Sequence, residues 1–225
     1  ILKPGQLTSF NFSSHRNKYI QPLKLYFAVN LLFFILTPIL NTPNIRVFSF
    51  NMKSFSGNNE MYQGIVKKQL QATHVSKQIY QERFNAHLKY NQPAFVFLMI
   101  PLLALFLKVL NFKSIQTYIE HLIFSIHFLS FFLLFLLCAT ALFRILFYAV
   151  KLFNISAGSV GLVFVAVVFL GPLLYLIPAT KNYYAGKILP LILKSVGGFV
   201  GFAISFGIFA LFLFYYTVLA LRLGY

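Results

Sequence analysis

Residues 118–148 read YIEHLIFSIHFLSFFLLFLLCATALFRILFY, a run in which Glu120 and Arg144 are the only acidic and basic side chains other than histidine. A helix needs about 20 mainly apolar residues to cross the hydrocarbon core of a bilayer, because each residue adds only about 1.5 Å to its length. This run is long enough to cross with tilt or to extend beyond the membrane. It therefore predicts a transmembrane helix.

The composition of the whole chain agrees with a membrane protein. Of 225 residues, 59% are hydrophobic and 10% are charged, and 19 Lys and Arg against 3 Asp and Glu give a formal net charge of +16. A water-soluble domain carries about 25% charged residues, so the excess of apolar side chains must face lipid. Cys138 is the only cysteine, which excludes an intramolecular disulfide, a CxxC redox pair and a zinc-thiolate site.

Five apolar runs separated by charged or proline-rich breaks are candidates for spans. They cover residues 23–40, 93–110, 118–148, 158–179 and 191–221. The run at 93–110 is interrupted by Pro101, and a re-entrant segment is the alternative to a span there. We predict an all-α fold, a polytopic transmembrane helical bundle of about five spans that forms a single membrane domain over residues 1–225.

Residues 41–92, between the first two runs, form the only extramembrane region of any size in this interpretation. Within it, residues 61–90 lack proline, and their apolar residues recur at mostly helical spacing beside basic residues. The basic residues concerned are Lys67, Lys68, Lys77, Arg83 and Lys89. The pattern predicts one or two amphipathic helices that contact the membrane or a partner; a solvated basic helix packed on its own loops is the alternative.

The excess of positive charge indicates the kind of partner to expect. Anionic lipid headgroups attract a surface Lys or Arg by about 1 kcal/mol each, and an acidic protein partner would be attracted in the same way. Nucleic-acid binding needs a basic groove or a recognisable module, and the sequence contains neither. We therefore expect contacts with anionic headgroups and with other membrane subunits, and none with nucleic acid.

One group of residues could carry chemistry, at the start of the third run. Glu120 and His127 are seven residues apart and share one helix face, His121 points about 100° away, and Tyr118 precedes them. Four interpretations compete: an interfacial Glu120 paired with Lys or Arg, a proton or ion relay, metal or haem ligation by a histidine, and direct catalysis. Isolated histidines without an HExxH or Ser-His-Asp pattern are weak signals, so we predict no catalytic residues, metal or cofactor.

Small residues recur every four positions in the fifth run. These are Gly197, Gly201 and Ser205. Such spacing lets another helix approach closely, so we predict helix packing here, either within the chain or against a partner subunit.

Several segments carry a resemblance to a known family. The most specific is Tyr118-x-Glu120-His121-x-x-Phe124-x-x-His127. The others are Pro4-Gly5, Arg16-Asn17-Lys18-Tyr19-Ile20-Gln21-Pro22-Leu23-Lys24-Leu25-Tyr26, Pro101-Leu102-Leu103-Ala104-Leu105-Phe106-Leu107-Lys108, and Leu174-Tyr175 followed by Lys181-x-Tyr183-Tyr184-x-Gly186. In pattern and order they resemble an uncharacterised family of bacterial integral membrane proteins, a domain of unknown function often preceded by a cytoplasmic zinc ribbon.

The resemblance implies a multi-pass protein of the bacterial inner membrane, with about five spans and the amino terminus inside. It implies no activity. The chain departs from the family in two respects: it contains no zinc-ribbon cysteines, and Leu129 stands where a further histidine is expected.

The functional hypothesis follows from these observations. The chain lacks a recognisable catalytic set and offers lipid-facing aromatics, a basic loop and a glycine-rich helix for contacts. We expect a non-catalytic membrane subunit that scaffolds or anchors a larger inner-membrane complex, rather than an enzyme. The alternatives are a small transporter or membrane enzyme with a Glu120–His127 proton relay, and a metal- or haem-binding membrane protein.

Overall fold

The computed structural model describes residues 20–40, 51–56, 60–73, 75–112, 114–152, 157–184 and 188–223. Within these ranges the regular structure is helical, with no strand. Its helices are α1 (Pro22–Leu40), α2 (Met52–Ser56), α3 (Glu60–Thr73), α4 (Lys77–Phe95), a 3₁₀ turn (Val96–Leu98), α5 (Met99–Leu110), α6 (Tyr118–Leu152), α7 (Ala157–Tyr184) and α8 (Ile188–Leu223). The predicted all-α fold is confirmed. The predicted loop residues 41–50, and residues 4–5, 16–19 and 186 of the resemblance, lie outside the described residues.

Five helical segments are long and apolar enough to cross a membrane. They are Pro22–Leu40, Lys77–Leu110, Tyr118–Ala149, Gly161–Tyr183 and Leu191–Leu223. The protein is therefore a multi-pass membrane protein, with one such segment at each of the five predicted runs.

The helices differ from the predicted runs mainly at their ends. The predicted loop was placed at 41–92, but α4 continues without a break past that boundary, with Pro93 inside it. The 3₁₀ turn begins three residues after Pro93, whereas Pro101 lies in the first turn of α5. A proline in the first turn costs little, because that turn has no intrahelical acceptor for its N–H. The interruption predicted at Pro101 is observed as the 3₁₀ turn just before it, since Pro101 cannot donate a hydrogen bond to the carbonyl of Phe97.

Where one or two amphipathic helices are predicted in the basic region, the structure has two helices, α3 and α4. Helix α3 ends at Thr73, where the break in pattern is predicted, and α4 begins at Lys77. The Ser76 hydroxyl accepts a hydrogen bond from the Ile79 N–H, so it caps α4 as a serine at this position commonly does.

The chain divides into two compact units, residues 1–47 with 100–205 and residues 48–99 with 206–225. In the first unit, α6 packs against α1 and α7. Its side chains from Phe124 to Ser130 are all buried. Phe128 and Phe132 meet Phe202 of α8 edge to face, with ring centroids 5.2 and 4.7 Å apart. Helix α6 is therefore the central helix of this unit.

The second unit has an aromatic core. Helix α4 buries a stripe at four-residue spacing, Tyr80, Phe84, Leu88 and Gln92. The ring of Phe84 lies 5.7 Å from that of Phe214, a fully buried residue of α8, and Phe55 of α2 packs on Phe214 at 5.2 Å. The Asn85 carboxamide accepts a hydrogen bond from the Met52 N–H and holds α2 on α4.

Candidate functional site

The start of α6 is held by polar contacts to the connection that precedes it. The Lys108 ammonium donates a 2.7 Å hydrogen bond to the Gln116 carbonyl, and the Tyr118 hydroxyl donates one of 3.3 Å to the Pro101 carbonyl. The Asn111 side chain and backbone N–H both bond to the Leu107 carbonyl at the end of α5. These contacts fix where α6 begins and thus where Glu120, in its first turn, is placed.

Glu120 is bound by α7. The Tyr183 hydroxyl donates a hydrogen bond of 3.3 Å to Glu120 Oε2. The Tyr183 ring stacks on Phe124, one turn further along α6, with centroids 5.5 Å apart. A carboxylate in the first turn of a helix is also favoured by the helix dipole. One of the four interpretations pairs Glu120 with a Lys or Arg; in the described part of the chain the hydrogen bond to its carboxylate comes from the Tyr183 phenol.

Glu120 and Arg144 mark the two ends of the uncharged part of α6. They are separated by 24 residues, about 36 Å of helix, against a hydrocarbon core of about 30 Å. Arg144 donates a hydrogen bond to the carbonyl of Ile39, in the last turn of α1, and its guanidinium lies 5.9 Å from the centre of the Tyr148 ring. This spacing is sufficient to place each charge at one membrane interface, and Arg144 lies at the negative end of the α1 dipole.

The two histidines are more deeply buried than Glu120. His121 is fully buried and His127 is 6% exposed. Seven residues of helix separate Glu120 and His127 by about 10.5 Å along the axis, and both side chains tilt in the same direction. Ser125 lies between Glu120 and His127 in the sequence, and its hydroxyl donates a hydrogen bond to the backbone carbonyl of His121. Direct proton transfer between Glu120 and His127 is not possible at this separation.

The residues that could bind a metal are dispersed. Among the described residues, no three His, Cys, Asp or Glu side chains come close enough to hold one ion. Cys138 is exposed on α6.

The predicted small-residue stripe receives the side chains of α5. A Cβ at Gly201 would lie 2.1 Å from Phe106 Cδ1, and a Cβ at Gly197 would lie 2.9 Å from Leu110 Cδ2. The Ser205 hydroxyl is buried and bonds back to the Gly201 carbonyl at 2.7 Å. At Gly201 a Cβ would require the Phe106 ring to move, whereas at Gly197 it would meet only the terminal methyl groups of Leu110.

Three contacts between helices were not predicted. Tyr183 was noted only within the family resemblance, and nothing in the sequence linked it to Glu120. Thr180 of α7 and Ser195 of α8 share a buried hydrogen bond of 2.7 Å. A Cβ at Gly171 would lie 2.2 Å from the end of the Phe135 ring. The sequence does show hydroxyl side chains and a glycine inside apolar runs, which are signals for contacts between helices. It does not show which residues they contact, because those residues are distant in sequence.

The five basic residues predicted to contact lipid or a partner are all exposed. Lys67 and Lys68 lie on α3, and Lys77, Arg83 and Lys89 lie on α4. Their exposure leaves their charges accessible, as either prediction requires.

Comparison of the chain with protein-family models, with curated proteins and with solved structures finds no match. The resemblance to an uncharacterised family therefore remains an expectation from the quoted residues. Any functional conclusion has to come from the geometry of the chain itself.

Proposed function

We propose that the protein is a non-catalytic, polytopic subunit that scaffolds or anchors a larger protein complex of the bacterial inner membrane. The observation that carries the proposal is the hydrogen bond from Tyr183 to Glu120. Glu120 is the only acidic residue of α6 and the strongest candidate for a chemical role. In the structure this residue joins α6 to α7.

Other polar side chains in the first unit support the same conclusion. The Thr180–Ser195 pair joins α7 to α8, and Arg144 joins α6 to the end of α1. In a bilayer, hydrogen bonds of this kind hold helices together, because lipid supplies no competing donors or acceptors. These groups are used to join helices within the chain.

The outer surface of α7 supports a role in contacts. Six large apolar side chains of α7 are more than half exposed. They are Leu162, Val163, Val165, Phe169, Leu170 and Leu174. This surface is available to lipid and to an apolar helix of another subunit.

The test compares two variants in membranes of the native host. Glu120→Gln keeps an acceptor oxygen for Tyr183 and removes the titratable group. If the protein is a scaffold, this variant accumulates, assembles and supports function. Loss of function with normal abundance and assembly would contradict the proposal and favour the proton relay; His127→Ala should then show the same loss.

A further inference from the structure

The chain passes between its two compact units at two described places, and both lie within helical segments. The first is between Met99 and Ile100, at the start of α5, and the second is between Ser205 and Phe206, inside α8. A third crossing, at residues 47–48, lies outside the described residues. The freedom of the two units to move therefore depends on how stiff these helical segments are where the chain crosses.

The segment formed by α4 and α5 is weak at the first crossing. It passes through the 3₁₀ turn Val96–Leu98, and a short 3₁₀ stretch inside a longer helix often marks a hinge, because its hydrogen bonds have poorer geometry. Pro93 and Pro101 flank this turn and have no N–H. The carbonyls of Lys89 and Phe97 thus lack the donor that a regular α-helix supplies four residues later. The helical hydrogen bonding is interrupted on both sides of the turn.

Helix α8 is weakened by small residues at the second crossing. The Ser205 hydroxyl donates its hydrogen bond to the Gly201 carbonyl, an arrangement that often bends a helix. Gly201 and Gly207 are poor helix formers, and kinks in helices often occur at glycine and serine together. In the described part of the chain nothing lies within 4 Å of the Cβ position of Gly207, so packing does not stiffen α8 there.

The two weak points lie at the same level along α5 and α8. Phe106 of α5 meets α8 at Gly201. One turn further along α5, Leu110 meets α8 one turn earlier, so the two helices are antiparallel neighbours. Five residues in the other direction, about 7.5 Å along each axis, bring Pro101 of α5 level with Phe206 of α8. Bends at one level in two neighbouring helices can act together as one hinge.

Both sides of the weak points are held by specific contacts. In the first unit the Tyr118 hydroxyl donates a hydrogen bond to the Pro101 carbonyl. In the second unit the Phe95 ring packs edge to face on Phe212 and Tyr216 of α8, with centroids 5.2 and 4.7 Å apart. A hinge consists of a few residues that absorb backbone rotation between two packed bodies, and this arrangement supplies both the bodies and the residues.

We propose that the 3₁₀ turn Val96–Leu98 and the Ser205–Gly207 segment of α8 form one hinge, about which the second unit rotates relative to the first. The second unit contains the basic helices α3 and α4, and the first contains α1, α6 and α7. Rotation about the hinge moves the basic helices relative to those of the first unit while the packing inside each unit is kept. The inference is independent of whether the protein serves as a scaffold, because it rests on the stiffness of the helices alone.

The first experiment measures distances in the purified full chain, reconstituted in lipid nanodiscs. Double electron–electron resonance is recorded between spin labels at Cys138, in the first unit, and Gln78→Cys, in the second. Two control pairs stay within one unit: Cys138 with Ile119→Cys, and Gln78→Cys with Leu211→Cys in a Cys138→Ala background. All four sites are exposed. We expect the pair between units to give a distance distribution roughly twofold broader than either control, because hinge motion displaces whole units.

A second set of variants tests whether these particular residues provide the motion. Gly207→Ala with Pro101→Ala places a better helix former in α8 and restores the missing N–H in α5. The matched control makes the same two kinds of change in α7, Gly161→Ala with Pro178→Ala, away from the hinge. We expect the α5–α8 variant to narrow the distribution between units by about half and the α7 control to leave it unchanged.

Two outcomes would overturn the proposal. One is a distribution between units that is as narrow as those within units in the parent protein, a comparison that does not depend on whether the variants fold. The other is equal width between units in the parent, the α5–α8 variant and the α7 control. The pairs within each unit report whether each variant keeps its packing.

Discussion

The Tyr183 hydroxyl donates a hydrogen bond to the carboxylate of Glu120 and so joins the last turn of α7 to the first turn of α6. The two residues are 63 positions apart in sequence. Because α6 is the central helix of its unit, this contact positions α7 at one membrane interface. Both partners lie at helix ends, where a carboxylate is far less costly than at the centre of the bilayer.

Tyr183→Phe tests the energy of this contact. At 3.3 Å the bond is longer than the usual 2.7–2.8 Å between oxygens, so we expect a loss of only about 0.5 kcal/mol in unfolding free energy. The ring stack on Phe124 is retained in this variant. Unfolding of the purified protein in detergent measures the loss, with Tyr90→Phe, at an exposed position, as the unchanged control. A double-mutant cycle with Glu120→Ala should show coupling; strictly additive losses would contradict the contact.

Gly201→Ala tests the packing of α5 on α8. The new methyl group would lie 2.1 Å from Phe106 Cδ1 and 2.6 Å from Cγ, so the whole ring must move. We expect a loss of about 1–3 kcal/mol, as for other overpacked cores. Gly207→Ala is the matched control in the same helix, since nothing lies within 4 Å of its Cβ position. Equal stability of the two variants would show that Phe106 does not occupy the site.

The Thr180–Ser195 pair should contribute a measurable coupling energy. Hydrogen bonds between helices in membranes average about 0.6 kcal/mol and reach about 1.7 kcal/mol, and this one is short and buried. A cycle of Thr180→Val and Ser195→Ala should give a coupling in that range. Thr217→Val is the control: its hydroxyl bonds within α8, to the Leu213 carbonyl, and should not couple to Ser195. Zero coupling between Thr180 and Ser195 would refute the shared hydrogen bond.

The metal and haem interpretation of the histidines makes its own prediction. Because no three of the described His, Cys, Asp and Glu side chains come together, we expect less than one bound metal per chain. We also predict no haem, and therefore no Soret band in the purified protein. His121→Ala and His127→Ala should leave the spectrum and the metal content unchanged. A Soret band or a stoichiometric metal that disappears in either variant would establish a cofactor role.

The sequence was informative about features that depend on neighbouring residues. Hydropathy located the spans, since a long apolar run such as 118–148 has no other stable environment than lipid. The four-residue spacing of Gly197 and Gly201 identified the closely packed face of α8. The break in the basic region near Thr73 likewise separated α3 from α4.

Features that depend on distant residues could not be predicted in this way. The pattern at Gly201 does not indicate that Phe106 fills it, and the position of Glu120 does not indicate a phenol from α7. The predicted loop ended at residue 92 because charged residues stop near that position. Helix α4 continues past it to Phe95, so the boundary was misplaced. The contacts of Phe84 and Phe95 of α4 with aromatic residues of α8 also have no local signal.

The central claim is that this protein is a subunit of a larger assembly. The most direct test is mild solubilisation of the native membrane, affinity isolation of the full chain, and mass spectrometry of the proteins recovered in stoichiometric amount. The account predicts a defined set of partners that is retained by Glu120→Gln. Recovery of this protein alone, as a monomer or a homo-oligomer, would contradict it and return attention to Glu120 and His127.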